Sequence, residues 1–175
     1  MRRVVVVGNS GSGKTTLSAR IAAQLGAPHI ELDAIRHQAR WVELPDDELR
    51  RVADERTRGE RWVVDGNYAA VRDVVWPRAD CIVWLDLPRR VVMKRVVLRT
   101  VRRLVLRVEL WNGNRERWVN LRSFDPERSV VAWAWQKHEA YRVLYRGLMR
   151  DHPELRFVRL TSDRDADRFV HGLCR

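Results

Sequence analysis

Residues Val4-Val5-Val6-Val7 run directly into Gly8-Asn9-Ser10-Gly11-Ser12-Gly13-Lys14-Thr15, which fits GxxxxGK[ST] at every fixed position. A short apolar strand that feeds a glycine-rich turn and then a helix leaves few folds open. Glycines let successive backbone N–H groups point inward at phosphate oxygens, and the start of the helix adds its positive dipole end. Lys14 supplies a mobile charge for the β and γ phosphates, and the Thr15 hydroxyl suits Mg²⁺. Gly8, Ser10, Gly11, Ser12, Gly13, Lys14, Thr15 and Thr16 are therefore the expected contacts of a nucleoside triphosphate. The helix that follows carries Leu17, Ile21, Ala22 and Leu25 at helical spacing, Gly26 offers a left-handed cap, and Pro28 prevents continuation.

Four further apolar runs read as strands: 29–32, 62–64, 81–85 and 155–160. Strands alternating with helices imply right-handed crossovers and a parallel sheet covered on both faces. The expected fold is a three-layer α/β domain with five parallel strands, and 175 residues at 45% apolar suffice for one such domain spanning 1–175. Ligands of such sheets gather at the carboxyl ends of the strands. The exits after the first strand are Asp33-Ala34-Ile35-Arg36, Asp65-Gly66-Asn67-Tyr68, Asp86-Leu87-Pro88-Arg89 and Thr161-Ser162-Asp163.

Several classes drop out. Cys81 and Cys174 are too few for a disulfide scaffold, have no zinc-ligand spacing, and read as reduced cytosolic thiols. The apolar run after Met1-Arg2-Arg3 is too short for a secretion signal, and no uncharged apolar stretch approaches the ~20 residues of a membrane helix. The expectation is a soluble, cytoplasmic protein without a membrane partner. The absence of an NKxD sequence disfavours a GTPase.

The phosphate loop, the Asp-Gly after the third strand and the LDLP exit before an Arg-rich helix together resemble the adenylate kinase-like P-loop kinases. More narrowly, "WVVDGNY", "IVWLDLPRRVVMKRVVLR" and "ELWNGNRE" resemble the bacterial proteins labelled DNA topology modulation, or flagellar-regulator-type, proteins. The kinase resemblance implies ATP with Mg²⁺, a catalytic Lys14, and an arginine pair after the fourth strand. Arg95 and Arg99 match that pair, Arg95 against the adenine and Arg99 at the phosphates. It also implies an acceptor site at the second strand exit. There Asp33 would orient a hydroxyl or accept its proton, Arg36 would hold a phosphate, and Asn67 joins them from the third exit. Asp33 as a helix cap and Arg36 as a surface residue are the bland alternatives. For Mg²⁺ the resemblance favours Asp65, with Thr15, over Asp86. Ser162 is placed with the nucleotide base, beside an equal alternative as cap of the last helix.

Between about 107 and 128 the periodicity fades around the turn Trp111-Asn112-Gly113-Asn114, which reads as a lid supplying Arg103, Arg115, Arg117 and Arg122. A long helix is expected to begin at Asp125 and Pro126. Its core face would be Trp133, Tyr141, Leu144, Tyr145 and Leu148, with His138 partly exposed. The chain carries 34 basic and 23 acidic residues, a net +11. Residues 89–122 alone hold eleven basic and two acidic residues, so the rest is nearly neutral at +2. A concentrated cationic patch beside a phosphate loop fits phosphoryl transfer to a small nucleotide or a phosphorylated or hydroxylated metabolite. The less favoured alternative is an ATP-binding regulator or a polynucleotide kinase acting on nucleic acid.

Overall fold

The computed structural model describes residues 1–173, so Cys174 lies outside the described residues. In chain order the elements are β1 (Arg3–Gly8), α1 (Lys14–Leu25), β2 (His29–Glu31), α2 (Leu32–Arg36), α3 (Asp46–Arg56), β3 (Trp62–Asp65) and α4 (Arg72–Val75). There follow β4 (Cys81–Leu85), α5 (Arg89–Val105), α6 (Val119–Arg122), α7 (Val130–Asp151), β5 (Phe157–Leu160) and α8 (Asp163–Gly172). All strand pairings are parallel, in the order β2-β3-β1-β4-β5. The expected five-stranded α/β fold is the observed one. The second and fifth strands are shorter than their apolar runs, because Leu32 opens α2 and Leu155 packs from the preceding turn.

The two-residue period of the strands builds the three layers. Val5, Val7, Val64, Ile82 and Trp84 face one side, where they pack with Leu49 and Ala53 of α3 and Tyr145 of α7. Val4, Val6, Val63, Cys81 and Val83 face the other, against Leu17, Ile21 and Ala22 of α1 and Val170 of α8. A strand buried on both faces needs the continuous valine run seen at 4–7. Cys81 is a free, buried thiol, and burial pushes its pKa up to about 11. Gly26 ends α1 in the left-handed region at φ 57°, as its position requires.

Helix α7 corrects the sequence reading. It starts at Val130 with Ser129 as the cap, the Ser129 hydroxyl accepting from the Ala132 amide at 3.3 Å, while Asp125 instead closes the turn before it. Leu144 is exposed and belongs to no core face. His138 is buried and its Nε2 contacts the Leu87 carbonyl at 3.0 Å. Among the described residues, no helix is long and apolar enough to cross a membrane.

At the far end of the sheet, Ser162 caps α8 by accepting from the Asp165 amide at 3.1 Å, and Asp165 accepts in turn from the Thr161 amide and hydroxyl. Hydrogen bonding with Ser162 and then Thr161 holds the Asp165 carboxyl down to about 2. Its folded pKa lies below the ordinary value of 3.8, so its contribution to stability is present above that value and lost as pH falls toward 2. Asp165→Asn is therefore expected to lower Tm at neutral pH, with the gap from wild type closing between pH 4 and pH 2 in thermal melts.

Candidate functional site

The loop after β1 is held from both sides. The Asn67 side chain donates to the Gly8 carbonyl at 2.6 Å and accepts from the Gly8 amide at 3.1 Å, and it also accepts from the Tyr145 hydroxyl at 3.0 Å. Asn9 donates to the Ala134 carbonyl on α7 at 2.6 Å. Gly11 sits at φ +80°, where a Cβ would meet the Val92 carbonyl oxygen at 2.8 Å. Only glycine allows that approach. Lys14 folds back to donate to the Asn9 carbonyl at 3.2 Å, and burial lowers its pKa, with Arg99 adding to the shift against the pull of Asp33 and Asp65. A polyphosphate bound here would restore the charge that burial disfavours.

Helix α5 overhangs this loop. Its Val92, Val96, Thr100 and Leu104 are buried, so the neighbouring row Arg95, Arg99 and Arg103, each one turn apart, runs along the open side. Arg99 Nη2 donates to the Ser10 hydroxyl at 2.8 Å; burial, and next the charge of Arg103, bring its pKa down to about 10. Arg103 pairs with Glu116 at 3.3 Å and Arg95 with Asp163 at 2.6 Å, both within reach of the loop's opening. Arg95 Nη1 lies 3.8 Å from where a Gly13 side chain would begin.

Across a cavity of about 1210 Å³ stands the exit of β2. Asp33 lines it and accepts from the Tyr68 hydroxyl at 2.7 Å; burial and the Asp33 charge raise the pKa of that phenol. Asp65 is buried at the end of β3 and contacts His29 Nε2 at 3.1 Å. Asp86, at the end of β4, is locked between Arg159 and Arg142, whose Nε lies 2.9 Å away. The Trp111–Gly113 turn is docked onto this exit: Trp111 Nε1 donates to Glu31 at 2.9 Å, and the Asn112 amide donates to the His37 carbonyl at 2.7 Å. The Asn114 amide donates to the Gln38 carbonyl at 2.8 Å.

The cavity gathers Ser10, Gly11, Gly13, Lys14, Thr15, Thr16, Asp33, Arg95, Arg99, Arg103 and Arg117. Other expected residues stand elsewhere. Gly8 and Ser12 are buried within the loop and do not line the cavity, and Ser162 is spent on capping α8. Asn67 grips the loop rather than facing the cavity. Arg36 is outside the lining, its guanidinium bonded to Glu43, Asp46 at 2.5 Å and the Leu44 carbonyl at 2.7 Å. Arg115 pairs with Glu109 and Arg122 sits over the Trp118 ring, 6.0 Å from its centroid. Sequence reasoning missed Glu31, His37, Trp41, Glu43 and Trp133 as lining residues, since each is an isolated residue outside any motif.

The model of a family described as an AAA domain matches residues 4–81, from β1 to the first residue of β4. No curated protein matches the chain. Among solved structures, shikimate kinase from Acinetobacter baumannii in complex with shikimate aligns at TM-score 0.61 and 15% identity over 99% of this chain and 90% of that one. Shikimate kinase from Bacteroides thetaiotaomicron gives 0.57 and 18% over 98% and 96%. A gluconokinase from Sinorhizobium meliloti 1021 gives 0.53 and 20% over 99% and 93%. The chain shares the fold of these P-loop kinases along nearly its whole length.

Loss of the Asn67 grip should leave Gly8 unpaired at the root of the loop. Asn67→Ala is expected to weaken binding of an added nucleotide about tenfold, roughly 1.4 kcal/mol, in equilibrium titration, while circular dichroism stays that of the folded protein.

Proposed function

We propose that the chain is an ATP-dependent phosphotransferase that moves the γ-phosphoryl group of ATP to a small-molecule acceptor, a nucleotide or a phosphorylated or hydroxylated metabolite. The observation that carries this reading is one cavity with Lys14 and the Arg95-Arg99-Arg103 row on one side and Asp33 on the other. Such opposition suits in-line displacement, in which positioning and charge neutralisation do most of the work.

In this reading the loop amides and Lys14 cradle the β and γ phosphates, and Arg95 packs beside the base. The acceptor hydroxyl approaches Asp33, which accepts from Tyr68 at Oδ1 and, among the described residues, forms no other side-chain hydrogen bond, leaving Oδ2 to orient the nucleophile. The acceptor oxygen bonds to the γ phosphorus as the bond to the β–γ bridging oxygen breaks, ADP leaves, and the hydroxyl proton passes through Asp33 to solvent. Arg99 neutralises charge on the transferred group, its cost of burial being offset once phosphate is present. Arg103, Arg117 and the docked 107–128 segment exclude water, so that ATP is not simply hydrolysed; Arg115 and Arg122 join only if that segment moves.

The Thr15 hydroxyl lines the cavity as a hard oxygen donor for Mg²⁺, while Asp65, buried outside that lining and bonded to His29, acts electrostatically on Lys14 and would support the ion through water. Asp86 is committed to two arginines, which favours Asp65 for this task. Bound there, the ion would neutralise the β and γ phosphates. The alternative, an ATP-binding regulator or polynucleotide kinase acting on nucleic acid, rests on the net +9 of residues 89–122. We also carry the narrower kinship with the topology modulation proteins, and a cytoplasmic location, as proposals that add nothing to the chemistry.

The test is an ADP-release screen over nucleotides, sugars and cofactor precursors. One acceptor class should stimulate turnover, Lys14→Ala should abolish it, and Arg99→Ala should lower kcat about 10²–10³-fold. ATP binding without stimulation by any acceptor overturns the reading.

A further inference from the structure

The cavity is polarised. Its arginines come from α5 and from the segments beside it: Arg95, Arg99 and Arg103 on the helix, Arg117 next to the Arg103 partner Glu116, and Arg128 just before α7. The start of α7 is itself bonded to the phosphate loop through Asn9. The opposite wall is acidic. Glu31, Asp33 and Glu43 line it from the β2 exit, and Glu109 faces them from the docked turn. Among the described residues, neither Glu31 nor Asp33 forms an ion pair with an arginine or lysine. Glu31 is held by Trp111 and lies 3.9 Å from His29; Asp33 is held by Tyr68.

The cations that would make this wall receptive to an anion are turned away. Arg36 spends its donors on Glu43, Asp46 and the Leu44 carbonyl, and neither it nor Arg115 lines the cavity. Asp33 is acted on by Lys14 across the cavity, but Glu31 has only the neighbouring His29 as a cationic partner, so a phosphate or carboxylate on the acceptor placed beside Glu31 would meet a like charge.

Between the carboxylates stand aromatic rings. His37 lies edge-on to Trp41 at 5.4 Å and stacked on Trp111 at 6.0 Å, and all three line the cavity. Trp41 adopts φ 60°, an outlier for a bulky residue, and is pinned there because its amide donates to Asn114 Oδ1 at 2.9 Å and its indole N–H to the Arg115 carbonyl at 3.2 Å. Indole faces bordered by carboxylates attract ammonium groups and repel anions.

We propose that the acceptor is a hydroxylated organic cation, an amino sugar or amino alcohol, whose ammonium group sits among Glu31, Trp41 and Trp111 while its hydroxyl meets Asp33. This rests on the phosphotransferase reading and narrows its acceptor. The ammonium stays protonated throughout; the hydroxyl loses its proton and gains the phosphoryl group of ATP, leaving ADP.

The test is ADP release, with ATP binding measured in parallel, over matched acceptors that differ in charge. One set is glucosamine, glucose, glucuronate and glucose 6-phosphate. A second is the aminocyclitol 2-deoxystreptamine against inositol and inositol 1-phosphate, and a third is ethanolamine, choline and serinol against glycerol and glycerol 3-phosphate. Stimulation by amino members is expected. Glu31→Gln should raise KM for the amino acceptor about tenfold with little change in kcat, whereas Arg99→Ala should lower kcat. Turnover with only neutral or anionic members overturns the cationic acceptor and leaves the kinase standing. Turnover with amino members that Glu31→Gln leaves unchanged also overturns it. ATP binding with no stimulation by any member of these sets or of the broader screen overturns both.

Discussion

The phosphate loop rests directly on the backbone of α5, and most of the site follows from that contact. Gly11 has no side chain, so the loop can lie where a Cβ would be 2.8 Å from the Val92 carbonyl and 3.1 Å from Val96 Cβ. Because Val92 and Val96 then face the core, the adjoining row of α5 must face the cavity, and that row is Arg95, Arg99 and Arg103. Three cations are thereby brought over a loop already lined with N–H groups. Asn67, just after β3, and the carbonyl of Ala134 on α7, which accepts from Asn9, hold the loop against this arrangement through the chain's own contacts.

Two buried carboxylates stand at the ends of β3 and β4, the strands that flank β1, and their partners give them different roles. Asp86 is paired with Arg159 of β5 and Arg142 of α7, which joins three elements behind the loop. A buried carboxylate with two guanidinium partners is neutralised in place. Among the described residues, the Asp65 side chain is paired only with His29, and its charge acts on the lysine of the loop. His29 in turn lies near Glu31, and Glu31 accepts from Trp111. A continuous polar chain thus runs from the end of β3 to the docked turn, linking the loop's surroundings to the segment that covers the cavity.

Strand positions were legible because a strand buried on both faces has to be apolar throughout, and β1 and β4 are. The loop was legible because its chemistry is local. Helix α7 starts later than its sequence suggests, and its expected core face holds only in part: Tyr141, Tyr145 and Leu148 join the core, while Leu144 is exposed and Trp133 lines the cavity. Asp125-Pro126 has good capping chemistry, but those residues close a turn, and Ser129 caps instead, its hydroxyl also donating to the Asn120 carbonyl at 2.7 Å. His138 is buried because the carbonyl of Leu87, 51 positions away, accepts or shares its ring nitrogen's proton, a partner no periodicity points to. Arg36 had the spacing of an anion ligand, yet carboxylates seven and ten residues later hold it out of the cavity.

The sequence by itself determined the phosphate loop, the α/β layering and the concentration of positive charge in residues 89–122. Each depends on neighbours within a few residues: glycines for backbone direction, alternation for strands, one-turn spacing for a helix face. The tertiary structure decided which charges meet. It turned Arg95, Arg99 and Arg103 inward and Arg36 and Arg115 away, and it docked Trp111 on Glu31 across 80 positions to build an acidic, aromatic wall opposite the cationic one. Ion pairs and ring contacts form between whatever side chains packing leaves side by side, and no local pattern records that choice.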